Sequence, residues 1–358
     1  MTNQPPTPSP QPPALNPQPG LSIWNRLLSI DRRILFLFIG LVVVVPLFAP
    51  FIIRPLPTEP VESLFRTIDS IPQDKALVLS VDYTPDIEPE LHPMTIALLR
   101  HAFARRIKVG VLCLQIQGIG LADTAIRQVT GEFNARARDW SDSLRYGRDY
   151  VFWGYQTPVL MVLTGMGEDI SKVFLVDAYK NRTDTLPIMQ EIRNYNSIGF
   201  VVSIAGSSLP MSWIIYAQTV FGVKIGTGIT AVSAADFYPY YSKTRQFSGI
   251  LAGMKGAAEY EEIVELRYPQ TRVGIPALGA SVMTHEGKGR FTARDLAAGT
   301  GTVSLATGEI RVPLAEIEYP LRRLATERMS SQTTAHVGIM LLIVIGNVAF
   351  FVTRRRKS

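Results

Sequence analysis

Residues 76–81 read ALVLSV and residues 198–204 read IGFVVSI. Both are short, almost wholly apolar runs, the pattern of strands buried on both faces of a sheet. The same rhythm spreads outward from them. Residues 107–114 (IKVGVLCL), 159–163, 173–176 and 223–232 are further strand expectations. Between these runs, 90–105, 121–137, 186–194, 209–221 and 246–266 read as helices, the first through Met94, Leu98, Leu99 and Phe103 near helical spacing. Apolar strands alternating with helices specify an α/β fold: a mainly parallel sheet with helices on both faces. Residues 267–312, rich in Gly and Thr, break the rhythm and read as a loop-rich insertion or a small β excursion. Residues 314–330 form a mostly polar helical lead into the apolar run near the carboxyl terminus.

The chain ends differ from this centre. Residues 34–53, ILFLFIGLVVVVPLFAPFII, run for twenty residues without a charge. A hydrocarbon core takes about twenty apolar residues in a helix, so 34–53 is expected to be a first transmembrane helix. Pro46 and Pro50 fall near its end, where few backbone bonds are lost. Residues 337–353 are expected to be a second. Gly338, Gly346 and Ala349 there suit close helix packing, and Asn347 is the polar residue that a neighbouring helix would satisfy. Residues 1–20 contain eight prolines and read as a disordered tail. Residues 21–33, with Trp24 and three arginines, read as an interfacial segment. Residues 354–358 are a basic cytoplasmic tail.

Charge supports the same partition. The chain carries +6; residues 1–34 hold +2 and the tail holds +4, so 35–353 are neutral overall. The basic character belongs to the membrane flanks and gives no footprint for nucleic acid. Arginines outside both spans place both termini in the cytoplasm and residues 54–330 beyond the cytoplasmic (inner) membrane. Cys113 is the single cysteine, so no internal disulfide forms.

Ligands of open parallel sheets bind beyond the carboxyl ends of the strands. Asp82, Asp177, Ser207 and Asp236 follow strand-like runs. Gly206, Ser207 and Ser208 lie between a strand and a helix, where free amides could hold an anion and Ser208 could cap the helix. A serine nucleophile at Ser207 would need a base: Lys224, Lys255, His101 or His285. Asp82, Glu90 and His92 in DYTPDIEPELHPM supply oxygen and imidazole ligands for a divalent ion, although their spacing matches no metal loop. The plainer reading is a proline turn leading into a helix with acidic residues at its start. Gly249, Gly253, Gly256 and Ala257 would give a smooth helix face for close contact with a sheet or another helix, favoured as a subunit or interdomain interface. Tyr238, Tyr240 and Tyr241 offer an aromatic patch, either exposed for binding or closing the sheet edge. No phosphate-binding glycine loop and no Cys/His metal spacing occurs, so no cofactor is expected.

Four stretches, DYTPDIEPELHPM (82–94), YGRDYVFWGY (146–155), GILAGMKGAAEYE (249–261) and MSSQTTAHVGIMLLIVIGN (329–347), together resemble an uncharacterised family of bacterial membrane proteins with two terminal spans. The resemblance implies a shared architecture and no catalytic residue. The expected function is a membrane-anchored, non-enzymatic subunit whose partners are membrane lipid and other membrane-protein subunits or a second copy. The alternative is an anchored hydrolase using Ser207 or the strand-end carboxylates.

Overall fold

The computed structural model describes residues 31, 34, 36–42, 56–134, 143–268, 281–284, 287–290, 300–305, 308–313 and 324–355. The expected tail (1–20), the interfacial segment (21–33, Asp31 apart) and residues 43–53 of the first expected span lie outside these. The chain divides into two compact units, Pro50–Ser330 and Met1–Ala49 with Ser331–Ser358.

In Pro50–Ser330 the apolar runs assemble as expected. β1 (Ala76–Asp82), β2 (Lys108–Cys113), β3 (Tyr150–Tyr155), β4 (Ile198–Ala205), β5 (Ile225–Ile229) and β6 (Phe247–Ala252) form one parallel sheet in the order β3-β2-β1-β4-β5-β6. This is the doubly wound order, with its reversal between β1 and β4. Alternate strand residues feed two cores. Leu77, Leu79 and Val81 of β1 face α1 (Glu59–Asp69), α2 (Glu88–Ala104), α3 (Gly118–Asn134) and α9 (Gly253–Arg267). Ala76 and Val78 face α4 (Val159–Glu168), α5 (Ile170–Val173) and α6 (Leu209–Trp213), which runs through a π-helical turn (Ile214–Gln218) into α7 (Thr219–Phe221). Phe237 of α8 (Ala234–Ser242) joins this second core. Burying both faces explains why ALVLSV shows no polar alternation.

The first core contains buried charge. Arg100 of α2 grips Glu132 of α3 with two bonds of 2.8 and 2.7 Å, and Glu261 of α9 lies 3.7 Å from the same guanidinium. Such a pair adds little net stability against its desolvation, but breaking it leaves a buried charge. His101 sits between the Tyr260 hydroxyl at 2.6 Å and Asp69 at 3.4 Å, stacked on Phe65. Burial pulls this imidazole down to about 4, so it is neutral at physiological pH.

Several elements differ from the sequence reading. Residues 159–163 open helix α4 after Pro158, where a five-residue apolar run fits either structure and length arbitrates; 173–176 run from the last residue of α5 into a loop, with an isolated bridge from Val176 to Arg182. Residues 186–194 give only the 3₁₀ turn Pro187–Gln190. The run expected as one helix over 246–266 is β6 followed by α9. The break falls at Gly253, whose φ of 62° suits glycine far better than any other residue. Strand β3 and helix α8 were not expected. Within 267–312, β7 (Ser281–Thr284), β8 (Gly287–Arg290), β9 (Thr300–Leu305) and β10 (Gly308–Pro313) make an antiparallel meander, the β excursion rather than a plain loop.

In the other unit, residues 36–42 are helical and meet α10 (Leu324–Arg355) closely: a methyl placed on Gly338 would lie 2.9 Å from Val42 Cγ1. Among the described residues no helix is long and apolar enough to cross a membrane, so neither expected span stands as a membrane-crossing helix among them.

Candidate functional site

The reversal of strand order places a crevice at the carboxyl ends of β1 and β4, between the loop 83–87 and the loop 206–208. Asp82 and Ala205 are neighbours in register there. Asp82 is fully buried. Its Oδ1 accepts the Leu114 amide at 2.5 Å, and its Oδ2 accepts the Ser80 hydroxyl. Burial pushes the carboxyl up to about 6, against the opposing pull of the bonds from Ser80, Leu114 and Gln115. Asp82 therefore ties the end of β1 to the loop after β2.

The rest of the acidic segment is also engaged locally. Glu90 Oε1 accepts the Ala231 amide at 2.7 Å, joining the start of α2 to the loop after β5. His92 Nδ1 meets the buried Tyr83 hydroxyl at 2.9 Å, and that hydroxyl also meets Thr95 at 3.0 Å. Asp82, Glu90 and His92 thus point to three different partners, and no acid/His/Cys cluster able to hold a metal occurs among the described residues. Ile87 closes over the opposite loop: a methyl on Gly206 would fall 2.3 Å from Ile87 Cδ1.

Among the described residues Ser207 Oγ has only a weak 3.5 Å contact from the Leu209 amide, and Ser208 begins α6 without a side-chain cap bond. Among the described residues none of the expected bases is bonded to Ser207. Lys224 lies at the amino end of β5, the far edge of the sheet; Lys255 pairs with Glu259; His101 is buried beside Tyr260; His285 lies outside the described residues. Asp177 is elsewhere again. It accepts the Tyr179 and Asn181 amides at 2.8 and 2.9 Å and fixes a loop whose Ala178 amide bonds Phe152 of β3. Phe152 is level with Leu79, two strands across and three residues short of Asp82. Strand spacing and rise separate the two backbones by about 14 Å, beyond shared acid–base chemistry. Asp236 is exposed in the first turn of α8.

The smooth-face residues are spent inside the unit. A methyl on Gly249 would sit 2.5 Å from the Leu64 backbone nitrogen, Gly256 packs on Leu251, and Ala257 is fully buried. They bring α1 and α9 close to β6, so the smooth run itself is packed inside the unit against Leu64 and Leu251. Tyr238 is exposed, while Tyr240 and Tyr241 are half-buried, Tyr240 edge-on to Phe247. Asn347 is exposed on α10.

A polar row went unread. Ser80, Ser203 and Thr227 are fully buried and in register across β1, β4 and β5. Thr227 donates to the Ser203 carbonyl at 2.9 Å, while Ser203 Oγ and Trp213 Nε1 make no hydrogen bond among the described residues. One hydroxyl in each of ALVLSV, IGFVVSI and IGTGI was the available signal; only strand register makes them a row.

Doubly wound sheets of this order often carry nucleotides, but the turn after β1 here has acids and prolines, with no glycine from Asp82 to Ala104. Glu88 and Glu90 in the first turn of α2 oppose a phosphate at that helix start. No family model, curated protein or solved structure matches the chain.

Proposed function

We propose that the chain is a membrane-anchored, non-enzymatic subunit whose α/β unit works by binding a partner protein or ligand. The observation that supports this most is the apolar dressing of the terminal helices. Ile34, Phe36 and Leu37 are exposed near one end, as are Met340, Ile343 and Val344 near the other. Apolar surface of that density is covered by another molecule in the working protein. Residues 34–53 and 337–352 contain no charged group, and hydrocarbon satisfies such stretches. On this reading they are transmembrane helices. The flanking arginines hold both termini in the cytoplasm, and residues 54–330 stand outside the inner membrane. Asn347 would bond to a neighbouring helix, from another subunit or a second copy.

The binding reading is preferred over the hydrolase because Asp82 is tied to Ser80 and Leu114, Asp177 is bonded into a separate loop beside β3, and among the described residues no base is bonded to Ser207. A second apolar surface, Leu160 and Met161 of α4 with Ile215 and Val220, gives the α/β unit a place to meet a protein. The test is gentle detergent extraction followed by sizing. The expected result is an assembly larger than one chain, unchanged by Ser207→Ala. A lone monomer at every concentration, with nothing bound, would overturn the proposal.

A further inference from the structure

At the amino-terminal end of edge strand β6, α1 and α8 leave a cleft of about 550 Å³. It lies at the opposite end of the strands from the β1/β4 crevice and is independent of the function proposed above. The volume is that of a small-molecule site.

Its lining defines what fits. Glu59, Ser63 and Thr67 stand at four-residue steps on one stripe of α1. Ser63 Oγ donates to the Ser248 carbonyl at 2.7 Å, and Thr67 Oγ1 donates to the Ser63 carbonyl at 2.8 Å. With their protons committed, both hydroxyl oxygens offer lone pairs, and the Glu59 carboxylate offers more. This wall therefore accepts hydrogen bonds and suits a ligand rich in hydroxyl donors. The facing wall supplies Tyr241 and Arg245, with Phe247 also lining the cleft. Arg245 is exposed and held at φ 54°, a left-handed backbone that non-glycine residues seldom adopt and that recurs at ligand sites. A guanidinium fork there matches a carboxylate or phosphate. Half-buried Tyr241 gives ring surface for the body of a sugar.

We infer that this cleft binds a small polyhydroxylated organic anion, its anionic group on Arg245 and its hydroxyls on Ser63, Thr67 and Glu59.

The test is calorimetric titration of the full chain in detergent with three probes: glucuronate, glucose 6-phosphate and glucose. At least one of the two anions is expected to bind, with neutral glucose weaker by about tenfold or more, the scale of one charge-assisted contact. The stronger anion tells a carboxylate ligand from a phosphate ligand. Arg245→Gln is expected to weaken the anion about tenfold and bring it level with glucose. Thr67→Val is expected to weaken all three probes together. The melting temperature of each variant checks that it folds. Binding of neither anion at millimolar concentration, equal binding of glucose, or an Arg245→Gln variant that folds and retains full affinity would each overturn the inference.

Discussion

Asp82→Asn isolates the energetics of the crevice. The Asp82 carboxyl ordinarily titrates at 3.8 and here at about 6, because burial disfavours its charge more than Ser80, Leu114 and Gln115 favour it. At about 1.4 kcal/mol for each unit of pKa, holding it ionised at neutral pH costs the fold about 3 kcal/mol. The folded pKa lies above the unfolded one. The associated stability is therefore complete below 3.8 and is lost as pH rises through 6. Asparagine keeps an oxygen for the Leu114 amide, and its NH₂ can donate to the Ser80 oxygen. The variant should be more stable than wild type by about 2–3 kcal/mol at pH 7.5, and the gap should nearly close by pH 4. His101 works in the opposite sense. Its folded pKa is lowered from 6.5 to about 4, so its contribution is present above 6.5 and is lost as pH falls through 4. The wild-type profile alone would show the two partly cancelling. His101 titrates in both proteins, so the difference between them reports Asp82. Urea unfolding of the full chain in detergent, followed by the fluorescence of buried Trp153 and Trp213, supplies the numbers. A gap that stays constant between pH 7.5 and pH 4 would rule out this role for the Asp82 carboxyl.

Other substitutions probe separate features. Gly249→Val would drive a side chain into the Leu64 backbone 2.5 Å away; a loss of about 2 kcal/mol or more is expected, read as a lower melting temperature. Arg100→Met leaves Glu132 and Glu261 buried without their guanidinium, at a cost of about 3–5 kcal/mol in the same melt. Asp177→Ala strips the acceptor from the Tyr179 and Asn181 amides; limited proteolysis should then cut within 177–183, where wild type resists. Cysteines at Val42 and Gly338 should join on oxidation, because the added Cβ would stand 3.7 Å from that of Val42, within disulfide range. A missing crosslink would argue against that helix pairing.

The sheet was legible where strands are buried on both faces, since ALVLSV and IGFVVSI have no helical alternative of adequate length. The misreadings came where a short apolar run met a glycine or proline. FSGILA joined its following helix until the positive φ of Gly253 separated them, and VLMVL behind Pro158 was long enough for either structure. Strand β3 hid behind the aromatics and glycine of YVFWGY. The crevice was legible only in outline. Asp82 was found because it ends a strand, but its partner Leu114 lies 32 residues away and depends on β1 pairing with β2. The row of Ser80, Ser203 and Thr227 needed the register of three strands. The cleft at β6 needed a helix and a strand 185 residues apart, linked by Ser63 and Ser248. The smooth Gly/Ala run packs closely within the unit, and periodicity cannot tell a contact within the chain from one between chains.

The proposed function turns on residues 54–330 standing outside the inner membrane on apolar anchors. Cys113 is fully buried and its thiol is pushed upward by burial, so the native chain gives a quiet background for thiol labelling. Lys172, whose side chain is 84% exposed, is the position for a single Lys172→Cys substitution. Treating intact cells with a membrane-impermeant maleimide should label this variant fully without permeabilisation, and the labelled chain should remain with the membranes after an alkaline wash. Labelling only after the cells are broken, or release of the chain into the wash, would contradict that placement.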